Sequence, residues 1–265
     1  KAKDPTLVKR YINKCFDSID TIEFNQKLEV ISMVSAEKEV IPFLKPVVTN
    51  EAEKRGKVEI WLRDLEQMMR DTLIQRSVEA AADDKIERTK WILKWPAQIV
   101  IAVNNVRWTS GVESAIKSDT LQKYYNQLIE ERDEVVDMVK GELTMLERLS
   151  LGALIVIDQH AIYVVEMLLR EQIQSDQDFD WISQLRYYFR GKKKNMLETN
   201  MITATLPYQY EYLGNSERLV ITPLTDRCYR TLMGAFESFY GGAPEGPAGT
   251  GKTETVKDLA KAVAV

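Results

Sequence analysis

Residues 246–253 read Gly-Pro-Ala-Gly-Thr-Gly-Lys-Thr, the Gly-x4-Gly-Lys-Thr spacing of a Walker A phosphate-binding loop. Each position has a chemical reason. Gly246, Gly249 and Gly251 let the backbone curl until its N–H groups converge on an anion. Pro247, Ala248 and Thr250 keep the loop small between them. Lys252 supplies a mobile positive charge for β- and γ-phosphate oxygens, and the Thr253 hydroxyl is of the kind that ligates Mg²⁺. Glu254 begins "ETVKDLAKAVAV", whose Val256, Leu259, Ala260 and Val263 fall on one helical face. A helix N-terminus directly after the loop adds unpaired amides and a favourable dipole. Four fixed positions arise by chance in such a chain with a probability on the order of 1%, and the surrounding "FYGGAPEGPAGTGKT" has the small-residue texture of a loop.

A phosphate cradle does not complete a hydrolytic site. The carboxylates that finish the Mg²⁺ site and position water belong on a later strand, and only twelve residues follow Thr253. "LIVID" (Leu154–Asp158) looks like a strand ending in an acid, but it precedes the loop and lies in a helical context. No catalytic residue is therefore assigned within the chain.

The elements that must carry this loop divide near Leu206. From Leu7 to Leu206 the periodicity predicts a mainly helical unit. Val58, Trp61, Leu62, Leu65, Met68 or Met69, and Leu73 form one stripe, read as core and not as a cofactor box. Pro96 in "WILKWP" marks a break or a first helical turn. "SDTLQKYYNQLIEERDEVVDMVKGELTMLERL" reads as one long helix capped by Ser118 or Asp119. Its apolar face runs through Leu121, Tyr124, Tyr125, Leu128, Val135, Val139, Leu143 and Leu146, and Glu130, Glu131, Asp133 and Glu134 form a solvated face. A further helix spans about Leu154–Gln172 and carries His160, read as a packing or surface residue. Beyond position 206, β-branched and aromatic residues with Pro207, Gly214, Asn215 and Pro223 predict short strands and turns of an α/β unit. The expected fold is thus mainly α: 1–206 helical, 207–265 the start of an α/β phosphate-loop module.

The net charge of −4 argues against a nucleic-acid protein, and the basic run Arg190–Asn195 reads as a solvated loop. Two cysteines far apart, Cys15 and Cys228, fit a reduced cytosolic setting. The longest apolar runs, Ile99–Val103 and Leu151–Ile157, are of core length, so no membrane association is expected. The N-terminus has no apolar core of a signal peptide and no methionine, and the chain is expected to be an excerpt of something larger.

"EYLGNSERLVITPLTDRCYRTLMGA" followed by "GGAPEGPAGTGKTETVKDLAKAVAV" closely resembles the opening of the first AAA+ module of dynein heavy chains, at nearly every position from Tyr208 to Val265. "WILKWPAQIVIAVNNVRWT", "LGALIVIDQHAIYVV" and "DFDWISQLRYYF" resemble the linker, the mechanical arm of that family. The wording around the loop is more similar to axonemal forms, leaning to the inner-arm type. The resemblance implies ATP/ADP and Mg²⁺ as ligands, and a base pocket from Leu219, Val220, Ile221 and Pro223. The same Leu219–Ile221 stretch also reads as a short buried strand. It further implies microtubules, intermediate and light chains and axonemal components as partners, without nucleic acid or membrane. The location implied is the cytoplasm and cytoskeleton, at the axoneme of a cilium or flagellum. Walker B acids, sensors, arginine finger, remaining modules, stalk and tail would lie elsewhere in such a protein. Two alternatives compete: a structural segment holding nucleotide statically, and an unrelated phosphate-loop enzyme. "ITPLTDRCY" disfavours the second.

Overall fold

In the computed structural model the described residues are 4–50, 57–190 and 195–265. Residues 191–194 of the basic run lie outside them. The described residues are mainly α, with two three-stranded antiparallel sheets among them. A 3-10 helix, Pro5–Lys14, leads into β1 (Thr21–Phe24), β2 (Val30–Val34) and β3 (Val40–Val47). Ile22 pairs with Met33, and Met33 with Ile41, so one row of side chains faces the core and all three are buried. The unit upstream of residue 206, expected from its periodicity to be helical, thus also contains strands. Tight turns allow the hairpins: the Asn25 side-chain oxygen accepts from the N–H groups of Lys27 and Glu29.

Five main helices follow: α1 (Val58–Ala82), α2 (Arg88–Lys94), α3 (Ala97–Lys117), α4 (Leu121–Lys140) and α5 (Met145–Arg170). The α1 stripe is core as expected, with Trp61, Leu65, Met68, Met69 and Leu73 buried and Val58 and Leu62 packed at its margin. Pro96 stands just before α3, where its missing N–H costs nothing. The buried Glu39 carboxylate accepts from Ala97 N–H at 3.0 Å and from the Tyr212 hydroxyl at 2.6 Å, tying the first sheet to the start of α3.

The single long helix expected from residue 118 onward is two. α4 stops at Gly141, and Thr144 opens α5 with a capping box, its hydroxyl receiving Glu147 N–H while the Glu147 carboxylate receives Thr144 N–H. Neither Ser118 nor Asp119 caps α4. Those residues instead close α3, with Asp119 left-handed at φ 53° and Thr120 N–H reaching back to Ala115 O at 2.9 Å. α5 is long and apolar enough to cross a membrane by length and composition, which corrects the expectation that no segment is. More than half of its apolar stretch is buried inside the protein, and with α3 and the short α6 (Phe179–Ile182) it holds the Trp108–Trp181 pair edge-on at 5.3 Å.

The second sheet, β4 (Arg186–Arg190), β5 (Met196–Met201) and β6 (Ala204–Pro207), lies between this helical body and α7 (Pro223–Glu237) and α8 (Lys252–Val263). Met201 and Ala204 pack with Tyr229, Leu232 and Met233 of α7 and Leu259, Ala262 and Val263 of α8. Tyr208, Tyr210 and Tyr212 join the large upstream core instead. Apolar packing therefore runs across position 206 in both directions.

Candidate nucleotide-binding site

The loop from Gly246 to Gly251 ends directly on α8. Gly249 and Gly251 both have φ 76°, a backbone region that disfavours side chains. A methyl group at either would meet nothing within 4 Å, so conformation and not crowding calls for glycine there. Gly251 stands at the α8 N-cap with no side-chain cap, which leaves the first amides of the helix available to an acceptor. The Lys252 side chain folds back over the loop. Its ammonium donates to Gly246 O at 2.9 Å, to Pro247 O, and to Thr250 Oγ1 at 3.3 Å. Thr250 Oγ1 also donates to Pro247 O at 2.9 Å, which tightens the curl. Thr253 and Glu254 are exposed on the first turn, as is Ala248 in the loop. The donor set therefore fits a polyphosphate: one ammonium, uncapped helix amides and an exposed hydroxyl. Among the described residues no group of three or more His, Cys, Asp or Glu side chains could hold a metal unaided.

The other nominated residues sit between Arg218 and α7. Leu219–Ile221 is not a buried strand: it has no strand pairing, Leu219 is 40% and Val220 72% exposed, and only Ile221 packs against the α7–α8 core. Pro223 begins α7, behind a Thr222–Thr225 capping box. The segment is an exposed apolar strap stretched from Arg218 to that cap.

What anchors the strap could not be read from residue spacing. Arg218 and Asp258 form a bidentate ion pair, Nε–Oδ1 2.9 Å and Nη2–Oδ2 3.1 Å, with side chains 6% and 2% exposed. Burial pushes the Asp258 carboxyl up, but the Arg218 fork, the Tyr229 hydroxyl and the Leu219 amide hold it below its usual range. Arg218 and Asp258 are far apart in sequence, and no local pattern links them.

His160 is drawn inward. Burial, aided by the Arg218 charge, lowers it to about 4, so it is neutral at pH 7. It shares a small cavity with Asn105, Arg218, Asp226 and Tyr229. Burial raises Asp226 to about 6. Asp158, the end of "LIVID", is in the middle of α5 and receives Arg88 at 2.8 Å and Asn104 at 3.0 Å. It is a structural acid on a helix, not the end of a strand.

A phosphate-type loop on a helix N-terminus, joined through a small sheet to a helical body, defines the opening of a P-loop nucleotide-binding module behind a helical domain. The comparisons with known proteins specify it further. The family model described as "Hydrolytic ATP binding site of dynein motor region" matches residues 208–265, and "Dynein heavy chain, N-terminal region 2" matches residues 1–80. Dynein axonemal heavy chain 3 of Mus musculus is 48% identical over 267 residues, covering 100% of this chain and 6% of that protein. Dynein axonemal heavy chain 12 of Homo sapiens is 44% identical over 270 residues, 100% of this chain and 8% of that protein. Dynein axonemal heavy chain 1 of Homo sapiens is 44% identical over 269 residues, 100% and 6%. The chain belongs to the dynein heavy-chain family, and spans less than a tenth of the length of these relatives.

Proposed function

We propose that this chain is the part of an ATP-driven microtubule motor in which a mechanical arm meets the first nucleotide site. The carrying observation is the Gly246–Lys252 curl on the uncapped end of α8, with the Lys252 ammonium gathered over it. Backbone amides of the loop and the first turn would hold the ATP phosphates, with Lys252 exchanging its bonds to loop carbonyls for phosphate oxygens. Thr253 would contribute its hydroxyl to a Mg²⁺ held mainly by the nucleotide. Leu219, Val220, Ile221 and Pro223 would offer apolar contact to the adenine. Bound MgATP would supply the phosphoryl group whose loss changes the charge at the loop.

Residues 1–206 would act as the linker and 207–265 as the start of the first AAA+ module. Their junction is suited to passing strain. Gln98 of α3 donates to Tyr208 Oη at 3.1 Å and to Glu211 O at 2.8 Å, and accepts from Leu213 N–H at 3.0 Å. On its other side the same segment donates to the C-terminal carbonyls of α8, Gln209 N–H to Val263 O and Glu211 N–H to Ala264 O. A shift of α8 would reach α3 through hydrogen bonds and not through a loose tether. The similarity to axonemal heavy chains supports an axonemal motor; we read it as one of the inner-arm type, working on microtubules with intermediate and light chains in cilia or flagella. The Walker B acids, sensors and arginine finger would come from other parts of the heavy chain. The 265-residue chain should therefore bind MgATP, measured by titration calorimetry, yet show no steady phosphate release. Robust turnover by this chain alone would contradict the assignment of the missing catalytic parts.

A further inference from the structure

Resting on the reading of Leu219–Pro223 as the base-contacting strap, we propose that Asp258 is a positioning residue that indexes this strap to the phosphate-loop helix, with Arg218 and Tyr229 as its clamps. The acceptor capacity of the carboxylate is fully used. Oδ1 takes Arg218 Nε at 2.9 Å and the backbone N–H of Leu219 at 3.1 Å. Oδ2 takes Arg218 Nη2 at 3.1 Å and the Tyr229 hydroxyl at 2.5 Å. A carboxylate has about four such acceptor positions, so Asp258 holds one fixed orientation, and it is 1% exposed.

The placement of these bonds has a consequence for ligand geometry. Lys252 and Asp258 lie on the same helix, six residues apart, which is about 9 Å along a rigid axis. The first strap residue is hooked to that axis by its own amide, and Lys261 Nζ holds Glu217 O at 3.0 Å just before it. At the far end Thr222 N–H donates to Thr225 Oγ1 at 2.7 Å, closing onto α7. Tyr229 of α7 returns to the same Asp258. Leu219, Val220 and Ile221 span these anchors, Leu219 hooked by its amide and Ile221 packed against the α7–α8 core, so the start of the strap is indexed to the phosphate-loop helix by one carboxylate. A buried ion pair often adds little net stability over an apolar pair of the same shape. Its distinctive contribution here is a defined position for a segment whose side chains are largely exposed.

The test separates the base from the phosphates. Binding of MgATP and of magnesium tripolyphosphate is measured by titration to the 265-residue chain, with circular dichroism as a check of folding. Asp258→Asn should weaken MgATP about tenfold, while tripolyphosphate stays within about twofold. Tyr229→Phe keeps the ring and removes one hydroxyl; it should weaken MgATP about threefold, again without touching tripolyphosphate. It carries the test if Asp258→Asn does not fold. Lys252→Ala should weaken both ligands. Equal loss of both ligands in the Asp258 and Tyr229 variants, or no loss of either, overturns the positioning role and leaves the phosphate loop standing. A parent chain that binds neither ligand, or a Lys252→Ala chain that binds both unchanged, overturns the phosphate-loop reading and the positioning role with it.

Discussion

The helical body and the nucleotide-binding end solve the same problem by different means. In the body, large side chains fix the structure: Trp61, Trp91 and Trp181 are each at most 2% exposed, and the first core runs from the N-terminal sheet through α5. At the nucleotide-binding end the core is a small cluster on α7 and α8. Leu219, Val220, Leu224, Phe236, Phe239 and Tyr240 are exposed there, Phe239 to 98%. Position is held instead by directed bonds: the Arg218–Asp258 fork, the Thr222–Thr225 box and the Lys252 contacts. Dispersion and burial serve the helical body well because close packing makes them collectively strong without requiring directed bonds. Apolar side chains left as exposed as Leu219 and Val220 cannot be held by burial, and a polar clamp takes over.

The largest expected effect tests the body. Trp61→Ala should cost about 3–5 kcal/mol in urea unfolding, because the lost ring leaves a cavity in close-packed surroundings. A cost below about 1 kcal/mol would remove the distinction between the two regions. Next, Arg218→Met should cost about 3 kcal/mol by stranding the Asp258 charge, whereas Arg218→Met with Asp258→Leu should cost clearly less than the sum of the singles. Additive losses would mean that the pair is not coupled.

A smaller, pH-dependent effect lies at the seam between the regions. His160 is lowered from 6.5 to about 4, so the stability it contributes is present above pH 6.5 and lost as pH falls towards 4. Asp226 is raised from 3.8 to about 6, so its contribution is present below pH 3.8 and lost as pH rises through 6. Between these limits the unfolded chain carries its proton on His160 and the folded chain on Asp226, and the two slopes cancel. Asp226→Asn should uncover a stability that rises with pH between 4 and 6.5, and His160→Gln one that falls between 4 and 6, each by up to about 1.4 kcal/mol per pH unit. Chemical denaturation across that range measures both; identical profiles in the parent and both variants would contradict the assignment. Smallest of all, Phe239→Ser should change stability by less than about 0.5 kcal/mol despite its aromatic ring, since Phe239 is almost wholly exposed.

Local patterns carried much of this structure. The α1 stripe, the Pro96 break and the loop-to-helix junction at Gly251–Lys252 are set by residues within a few positions of one another, and each was readable. The break between α4 and α5 had a signature in Thr144–Glu147, but the apolar face running from Leu121 to Leu146 concealed it. The first sheet had its signal as well: "EVISMV" and "EVIPFLKPV" are β-branched, short and joined by polar turns. Leu219–Ile221 misled because its β-branched residues suit a strand, while its first amide is bound by a carboxylate from α8. Contacts of that kind depend on tertiary structure and leave no periodic trace. The same holds for Gln98, whose side chain binds a segment more than a hundred residues away.

The central proposal is that the loop before α8 is the principal nucleotide site of an ATP-driven motor. Microtubule-stimulated ATP hydrolysis by the full-length heavy chain carrying Lys252→Ala tests it most directly. The account expects turnover to be nearly abolished, and turnover equal to that of the parent protein would contradict it.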